Sequence, residues 1–447
     1  MKIKIQLFTA LFLSLMVFGC NFGNLTELKT SVSIHDGKWF INNEVINKGS
    51  PAEGLLMNVR MVNSVFEDRG KASPDELSGF DPMKNTDNFI SEIPEYVNSG
   101  VNAFTVSLQG GFPGYEGAVN SAFNSDGTLR EEYLRRVEKV IRKCDANHAI
   151  VNLSCFYQRQ HSHSSALNGK ESIKNAVKNV VDWITQKKFS NVLLEVSNEY
   201  RHGGYRNWPD GDWLISETGQ VELIQLAKQQ NPTLLVSTSG MGNGKLEDEL
   251  ISVADFLLIH FNNTSLDDYG ERIKALKKYG KPVVCNEDDK LGQAGAMALT
   301  FSVLNGCGWG YMNSPKNQNI PFEFDGIEDD QEVYEMFRNV TTPGYQINPD
   351  MVSQTFVMIT APNDGQVFNT GQNLRIQVSL VNPPDSVQYH VEILANDEAV
   401  ARTNENFRAN WLLQNPGTFV LKAVLKNQGG KELYRSPQVD IIVQSGK

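Results

Sequence analysis

A (β/α)8 barrel followed by a small all-β immunoglobulin-like sandwich is the architecture this sequence predicts, and three observations predict it. Short apolar runs at residues 55–62, 103–108, 150–156, 192–196, 234–238, 256–261, 282–285 and 309–312 alternate with amphipathic helical patterns at 87–99, 129–147, 171–187, 218–230, 246–253, 267–279 and 293–305. Eight such runs over about 260 residues are what a closed parallel barrel needs. An open doubly wound sheet would carry a glycine-rich phosphate turn after its first strand. Here the first run is followed by Asn63-Ser-Val-Phe-Glu-Asp-Arg-Gly70, and Gly110-Gly111-Phe-Pro-Gly114 opens no immediate helix. Beyond Thr341-Thr-Pro-Gly344 the pattern changes to short alternating runs at 374–380, 389–394, 409–413, 418–424 and 439–443. Separated by Gly, Pro, Asn and Asp, these read as a sandwich of about 90 residues.

The elements follow in order. Lys2 and Lys4 precede an apolar stretch from Ile5 to Phe18 that ends in Val17-Phe18-Gly19-Cys20. This is the layout of a secretory leader, too short for a membrane-spanning helix. A small residue directly before a cysteine resembles the lipobox of bacterial lipoproteins, which implies lipidation at Cys20 and an exported, membrane-anchored protein. Residues 1–19 are then a signal peptide, 20–32 a tether, 33–345 the barrel and 352–447 the sandwich. Within the barrel segment, Ser33-Ile-His-Asp-Gly-Lys-Trp-Phe-Ile-Asn-Asn-Glu-Val45 reads as an entry hairpin. The sandwich lacks the aromatic cluster that stacks on sugars, so it is expected to be a spacer.

Composition narrows the function classes. With 447 residues, 40% hydrophobic and 21% charged, the chain is an ordinary globular protein,. Its net charge is −11, and loss of residues 1–19 removes two lysines and no acids, leaving −13. That balance excludes nucleic-acid binding through a diffuse basic surface. Cys144, Cys155, Cys285 and Cys307 lack metal-type spacing and read as buried thiols,.

Barrel active sites sit at the C-terminal ends of the strands. The fourth run closes as Leu193-Leu-Glu-Val-Ser-Asn-Glu199 and the seventh as Lys281-Pro-Val-Val-Cys-Asn-Glu287. A glutamate there is costly unless solvated, paired or used, and two facing carboxylates support double displacement at an anomeric carbon. In this the chain resembles the clan A retaining glycoside hydrolases, the cellulase-like group, over roughly residues 33–340. The resemblance implies Glu199 as acid/base, Asn198 on the sugar 2-hydroxyl and Glu287 as nucleophile, with no cofactor. It also implies that His260 orients the nucleophile and that Trp309 stacks on the sugar.

Two features depart from that group. Glu287, Asp288 and Asp289 are consecutive carboxylates, a hard oxygen set suited to Ca²⁺ with Asn262 or Asn286 completing the shell. Arg60, Arg159, Arg201 and Arg206, with His161, His163 and His202, gather at strand ends on an acidic protein. Arginine forks match carboxylate and sulfate, so an anionic oligosaccharide is the expected substrate, with Tyr157 also in reach. A second reading follows: Ca²⁺ holding a uronate carboxylate acidifies the C5 proton for elimination, with His260, Tyr157, His202 or Tyr200 moving it. Leader, barrel and acidic triplet together are similar to the calcium-dependent ulvan-oligosaccharide dehydratases of marine bacteria. A third reading is a glycan-binding lipoprotein without turnover.

Overall fold

The computed structural model describes residues 29–68, 79–110, 120–159, 167–384 and 388–446. Cys20, His161 and His163 lie outside them. The chain begins with a three-stranded hairpin unit, β1 (Val32–His35), β2 (Lys38–Ile41) and β3 (Glu44–Val45). Its turns are Asp36-Gly37 and Asn42-Asn43, all four with positive φ. Asp, Asn and Gly tolerate that conformation, which matches the twist of paired strands. The end of the expected tether is already pinned: the Lys29 and Thr30 amides donate to Asp145 Oδ1 at 2.9 and 2.8 Å.

Eight parallel strands form the barrel: β4 (Met57–Arg60), β5 (Ala103–Ser107), β6 (Ile150–Phe156), β7 (Val192–Ser197), β8 (Leu235–Ser237), β9 (Leu257–His260), β10 (Val283–Glu287) and β11 (Trp309–Tyr311). A six-strand ladder runs β11-β4-β5-β6-β7-β8, and β9 pairs with β10. Single bridges, Ser239 to Leu258 on one side and Val284 to Gly308 and Asp288 to Tyr311 on the other, close the ring. At Gly310 a Cβ would sit 2.6 Å from the Asn286 Cα, so only glycine allows β10 and β11 to approach this closely,.

The barrel interior changes character from bottom to top. Ala103, Ile150, Leu193, Leu258 and Val284 form an apolar floor, sealed by Trp39 of the entry hairpin. Above it is a polar layer: Asn58 Nδ2 donates to Thr105 Oγ1 at 3.0 Å, and Asn152 Nδ2 lies 3.5 Å from both Thr105 Oγ1 and Glu195 Oε2. Barrels normally fill this space with branched apolar residues. Polar filling beneath the mouth is a departure that Leu193-Leu-Glu-Val196 foreshadows.

Helices cover the outside. The first starts earlier than the hydrophobic pattern indicates, at Pro82, because Asp81 caps it by accepting from the Met83 and Lys84 amides,. The segment Gln331–Thr341, absent from the sequence-derived helix set, is an eighth covering helix capped by Asp330. Its apolar residues Val333, Tyr334, Phe337 and Val340 have helical spacing and are all buried,.

The sandwich comprises β12 (Phe356–Ala361), β13 (Gln366–Asn369), β14 (Asn373–Val381), β15 (Tyr389–Ala395), β16 (Glu398–Arg402), β17 (Arg408–Leu412), β18 (Gly417–Asn427), β19 (Glu432–Arg435) and β20 (Val439–Gln444). One sheet is β12-β14-β17; the other is β13-β20-β18-β15-β16, with β19 on β18. Its own core includes Ile376, Ile393, Leu421 and Ile441, whereas Met358 and Val381 belong to the barrel's core. Cys144, Cys155, Cys285 and Cys307 are buried free thiols, as their sequence context indicates.

Candidate active site

Glu287 owes its direction to an irregularity. Cys285 packs outward in the core between strands and helices, and strict alternation would send residue 287 the same way. The β9–β10 register shifts between Cys285 and Glu287, so that Glu287 stands opposite His260. The extra residue, Asn286, reverses the parity and turns Glu287 into the mouth.

Three groups then hold it. Asn262 Nδ2 donates to Oε1 at 2.7 Å, Arg60 Nη1 lies 3.1 Å from Oε2, and His260 Nδ1 is 3.7 Å from Oε2. Arg60 Nη1 also reaches Asn198 Oδ1 at 3.3 Å, and the Arg60 carbonyl accepts from Gln318 Nε2. The Arg60 and His260 side chains are buried, so their charges act with little screening,.

Glu199 is presented differently. It lies two residues past the end of β7 with φ of 47°, a left-handed conformation that costs a non-glycine residue about 1 kcal/mol,. The Glu199 amide donates to Ser239 Oγ at 2.9 Å and the Tyr200 amide to the Ser239 carbonyl at 3.1 Å. Below, the Tyr205 hydroxyl donates to the carbonyls of Phe156 and Asn198 at 2.8 and 3.0 Å. Strain held by surrounding bonds is common where a side chain must be aimed.

His260 Nδ1 is 3.5 Å from Glu199 Oε1, and one ligand atom from each of Glu199, His260 and Glu287 lies within 4.8 Å of the others. Two carboxylates and an imidazole that converge on one part of the mouth can act together on a single bound group. Burial pushes the Glu199 carboxyl up, but contact with His260, then the charges of His202 and Arg60, outweigh it and hold it below the usual carboxylate range. Burial pushes His260 down, but Glu287, Glu199 and Glu195 outweigh that and raise it. Glu195, fully buried in the polar layer, is raised by burial against the pull of His260 and Arg60. The two shifts run in opposite directions, His260 holding its proton more tightly and Glu199 less tightly than each would in water.

Several expected site residues take other roles. The acidic triplet does not converge on a cation: Asp288 faces the wall, where Oδ2 accepts from the Tyr269 hydroxyl and from Trp309 Nε1 (2.9 Å) and Oδ1 pairs with Lys290 Nζ (2.9 Å). Glu287, on the opposite face, is committed to Arg60 and Asn262. Asp289 is half-buried, and burial together with Asp288 and Glu287 outweighs Lys290 and pushes its carboxyl up to about 7. Trp309 is wholly buried, stacked on Tyr311 with centroids 5.7 Å apart, so it is wall material and no sugar platform. Arg201 turns away to Glu217 and Glu247, and Tyr200 joins it by donating to Glu247 Oε2 at 2.5 Å. Neither reaches the glutamates, and Arg206 is exposed.

His202, Arg159 and Tyr157 remain beside the mouth. His202 Nδ1 accepts from the Gly204 amide at 3.0 Å, and burial, aided by Arg159 and opposed by Glu199, lowers the ring's pKa. Its Nε2 then carries the hydrogen. Tyr157 is buried, its amide donating to Gln109 Oε1 at 3.1 Å. Sequence reasoning assigned Asn262 only to a calcium shell and passed over Glu195. The signal for Glu195 was a lone carboxylate inside an apolar run. Nothing local marks Asn262 as the partner of a residue 25 positions away.

No protein-family model matches the chain, and neither does any curated protein. Among solved structures it is similar to the endo-β-1,4-mannanase of Thermotoga petrophila, with 13% identity, 90% of this chain and 100% of that one covered, and a TM-score of 0.47. A tri-modular family 5 (subfamily 4) endo-β-1,4-glucanase from Bacillus licheniformis in complex with cellotetraose gives 14%, 89%, 80% and 0.45 in the same order. A family 5 glycoside hydrolase from Prevotella bryantii gives 12%, 67%, 99% and 0.47.

Proposed function

We propose that this chain is a retaining glycoside hydrolase acting on oligosaccharides. The observation that carries the reading is the pair Glu199 and Glu287 within 4.8 Å at the ends of two barrel strands, with His260 between them. Glu287 attacks the anomeric carbon as the bond to the leaving oxygen breaks, and Glu199 protonates that oxygen. Water then cleaves the glycosyl–enzyme ester after Glu199 takes its proton. His260 Nδ1, 3.5 Å from Glu199 Oε1, is the neighbouring group through which Glu199 can exchange a proton. Arg60 and Asn262 hold Glu287 at fixed orientation for attack,.

Arg159 acts on His202, which in turn lies close enough to Glu199 to feel its charge, so an anionic substituent on the sugar would be met beside that pair. A panel of neutral, uronate and sulfated oligosaccharides, read by mass and by the anomeric configuration of first products, tests both levels. The expected outcome is chain shortening with retained configuration, indifferent to chelators, with acidic substrates favoured and the preference lost in Arg159→Ala. An ultraviolet-absorbing unsaturated product would overturn hydrolysis. Equal rates on neutral and acidic sugars would overturn the charge preference alone. The leader further supports export and lipidation at Cys20, which the intact mass of the membrane-extracted protein checks.

A further inference from the structure

The sandwich touches the barrel at one informative place. Directly after Asn262, which grips Glu287, the chain passes beneath β14. Ser379 of β14 is wholly buried, its Oγ lying 2.9 Å from Ser265 Oγ and accepting from the Leu266 amide at 3.0 Å. Arg408, at the start of β17, donates to the Asn263 carbonyl at 3.4 Å, and Asn363, between β12 and β13, to the Asp289 carbonyl at 3.5 Å. Apolar packing backs these bonds: Met358 and Val381 are buried in the barrel core, and Phe356 meets Phe301 edge-on at 6.4 Å. Contacts from three parts of the sandwich thus fall on the two segments that follow Asn262 and Glu287.

Those two segments are tied to each other. The Phe261 amide donates to the Glu287 carbonyl at 2.9 Å, and Lys290 Nζ donates to the Phe261 carbonyl and to Asp288 Oδ1, both at 2.9 Å. The Phe261 ring stacks on Tyr269 at 4.0 Å, and the Tyr269 hydroxyl donates to Asp288. Strand-end loops are ordinarily among the loosest parts of a barrel. A hydrogen bond such as Asn262 to Glu287 weakens steeply with small displacements, and misplacing a reacting group by about 1 Å costs up to ~100-fold in rate.

We propose that the C-terminal sandwich is a positioning element for the nucleophile: Ser379, assisted by Arg408 and Asn363, clamps the 262–266 and 288–290 segments so that Asn262 keeps its hold on Glu287. The kinetic consequence rests on the hydrolase reading; the clamp itself does not.

The test uses the full chain. Ser379→Ala/Arg408→Ala is expected to lower kcat about 5- to 20-fold with KM changed less than about 2-fold. In an Asn262→Ala background the same pair should cost less than about 2-fold, because the group it acts through is gone. Equal losses in both backgrounds, or no loss, would overturn the proposal, since a purely stabilising domain gives one or the other. Hydrogen exchange supplies an arm that needs no substrate. Amides of 257–266 and 283–290 should exchange about 10-fold faster in the pair variant, with β4 to β7 unchanged. Unchanged exchange there overturns the clamp even if no glycoside is cleaved. Faster exchange in a protein that cleaves nothing retains the clamp and removes the hydrolase reading. If Ser379→Ala does not fold, Arg408→Ala/Asn363→Ala carries the same two measurements with the same criteria.

Discussion

The same dipeptide, Asn-Glu, ends β7 and β10, and the two copies are built in opposite ways. Glu287 is inside its strand, 7% exposed at the side chain, and bound by Arg60 and Asn262. Glu199 is beyond its strand, 16% exposed, in a left-handed backbone fixed from below, with His260 Nδ1 3.5 Å from its carboxylate. A nucleophile needs a fixed direction and a stable charge, whereas an acid/base must take up and release a proton twice in each cycle. The difference between the copies is therefore one of freedom, created by backbone and not by side-chain type.

Removing each carboxylate in turn breaks the comparison most strongly. Glu287→Gln should lower kcat by about 10⁴-fold or more on every substrate. Glu199→Gln should cost about 10²- to 10⁴-fold on natural glycosides but far less when the leaving group needs no proton. Steady-state rates on an aryl glycoside with a good leaving group and on an oligosaccharide check both, and equal sensitivity of the two variants to leaving group would contradict the assignment.

Loosening Glu287 without removing it comes next. Asn262→Ala should lower kcat about 10- to 100-fold while leaving thermal stability nearly unchanged, because it removes one bond to a carboxylate that Arg60 still holds. Matched Tm and kcat measurements read the split.

A change on the neighbouring strand should act through the bulge. Gly310→Ala places a Cβ 2.6 Å from the Asn286 Cα. It should destabilise the fold by about 2–3 kcal/mol and lower activity by displacing Asn286 and Glu287. An urea titration with an unchanged midpoint would show that the close approach of β10 and β11 is not required.

The smallest effect is pH-dependent. His260 has a folded pKa raised above its unfolded value, so its contribution to stability is complete below the ordinary histidine range, near 6.5, and is lost as pH rises through the raised folded value,. Glu199, lowered in the fold, contributes above the ordinary carboxylate range near 4.5 and loses that contribution as pH falls,. Tm measured from pH 4 to 9 should decline at both ends, and His260→Gln should flatten the alkaline decline. An alkaline decline unaltered by that substitution would place the responsible group elsewhere.

Much of this molecule was legible in the residues alone. Eight apolar runs fall on the eight barrel strands, because each must be buried on both faces and local hydrophobicity records that requirement. The helix over Gln331–Thr341 has regular apolar spacing, but 19 residues, 312–330, separate it from the eighth strand, so the strand–helix alternation does not point to it. The arginines misled. Strand-end position puts Arg60 and Arg201 near the mouth, but Glu217 and Glu247, 16 and 46 residues further on, claim Arg201, and Glu287, across the ring, claims Arg60. Trp309 misled in the same way, because three residues of strand do not reveal which face looks outward.

The strand–helix alternation, the appended sandwich and the placing of a glutamate at or just past the ends of the fourth and seventh barrel strands are written in the chain itself. These depend on periodicity and on position along a strand, and both are local. Only the tertiary structure decided that Glu287 faces the mouth while Asp288 faces the wall. One extra residue at Asn286 reverses a period of two, and whether a strand bulges depends on its neighbours in the closed ring,. The docking of Ser379 onto Ser265 and Leu266 is of the same kind, a contact across 113 or more residues that no spacing along the chain records.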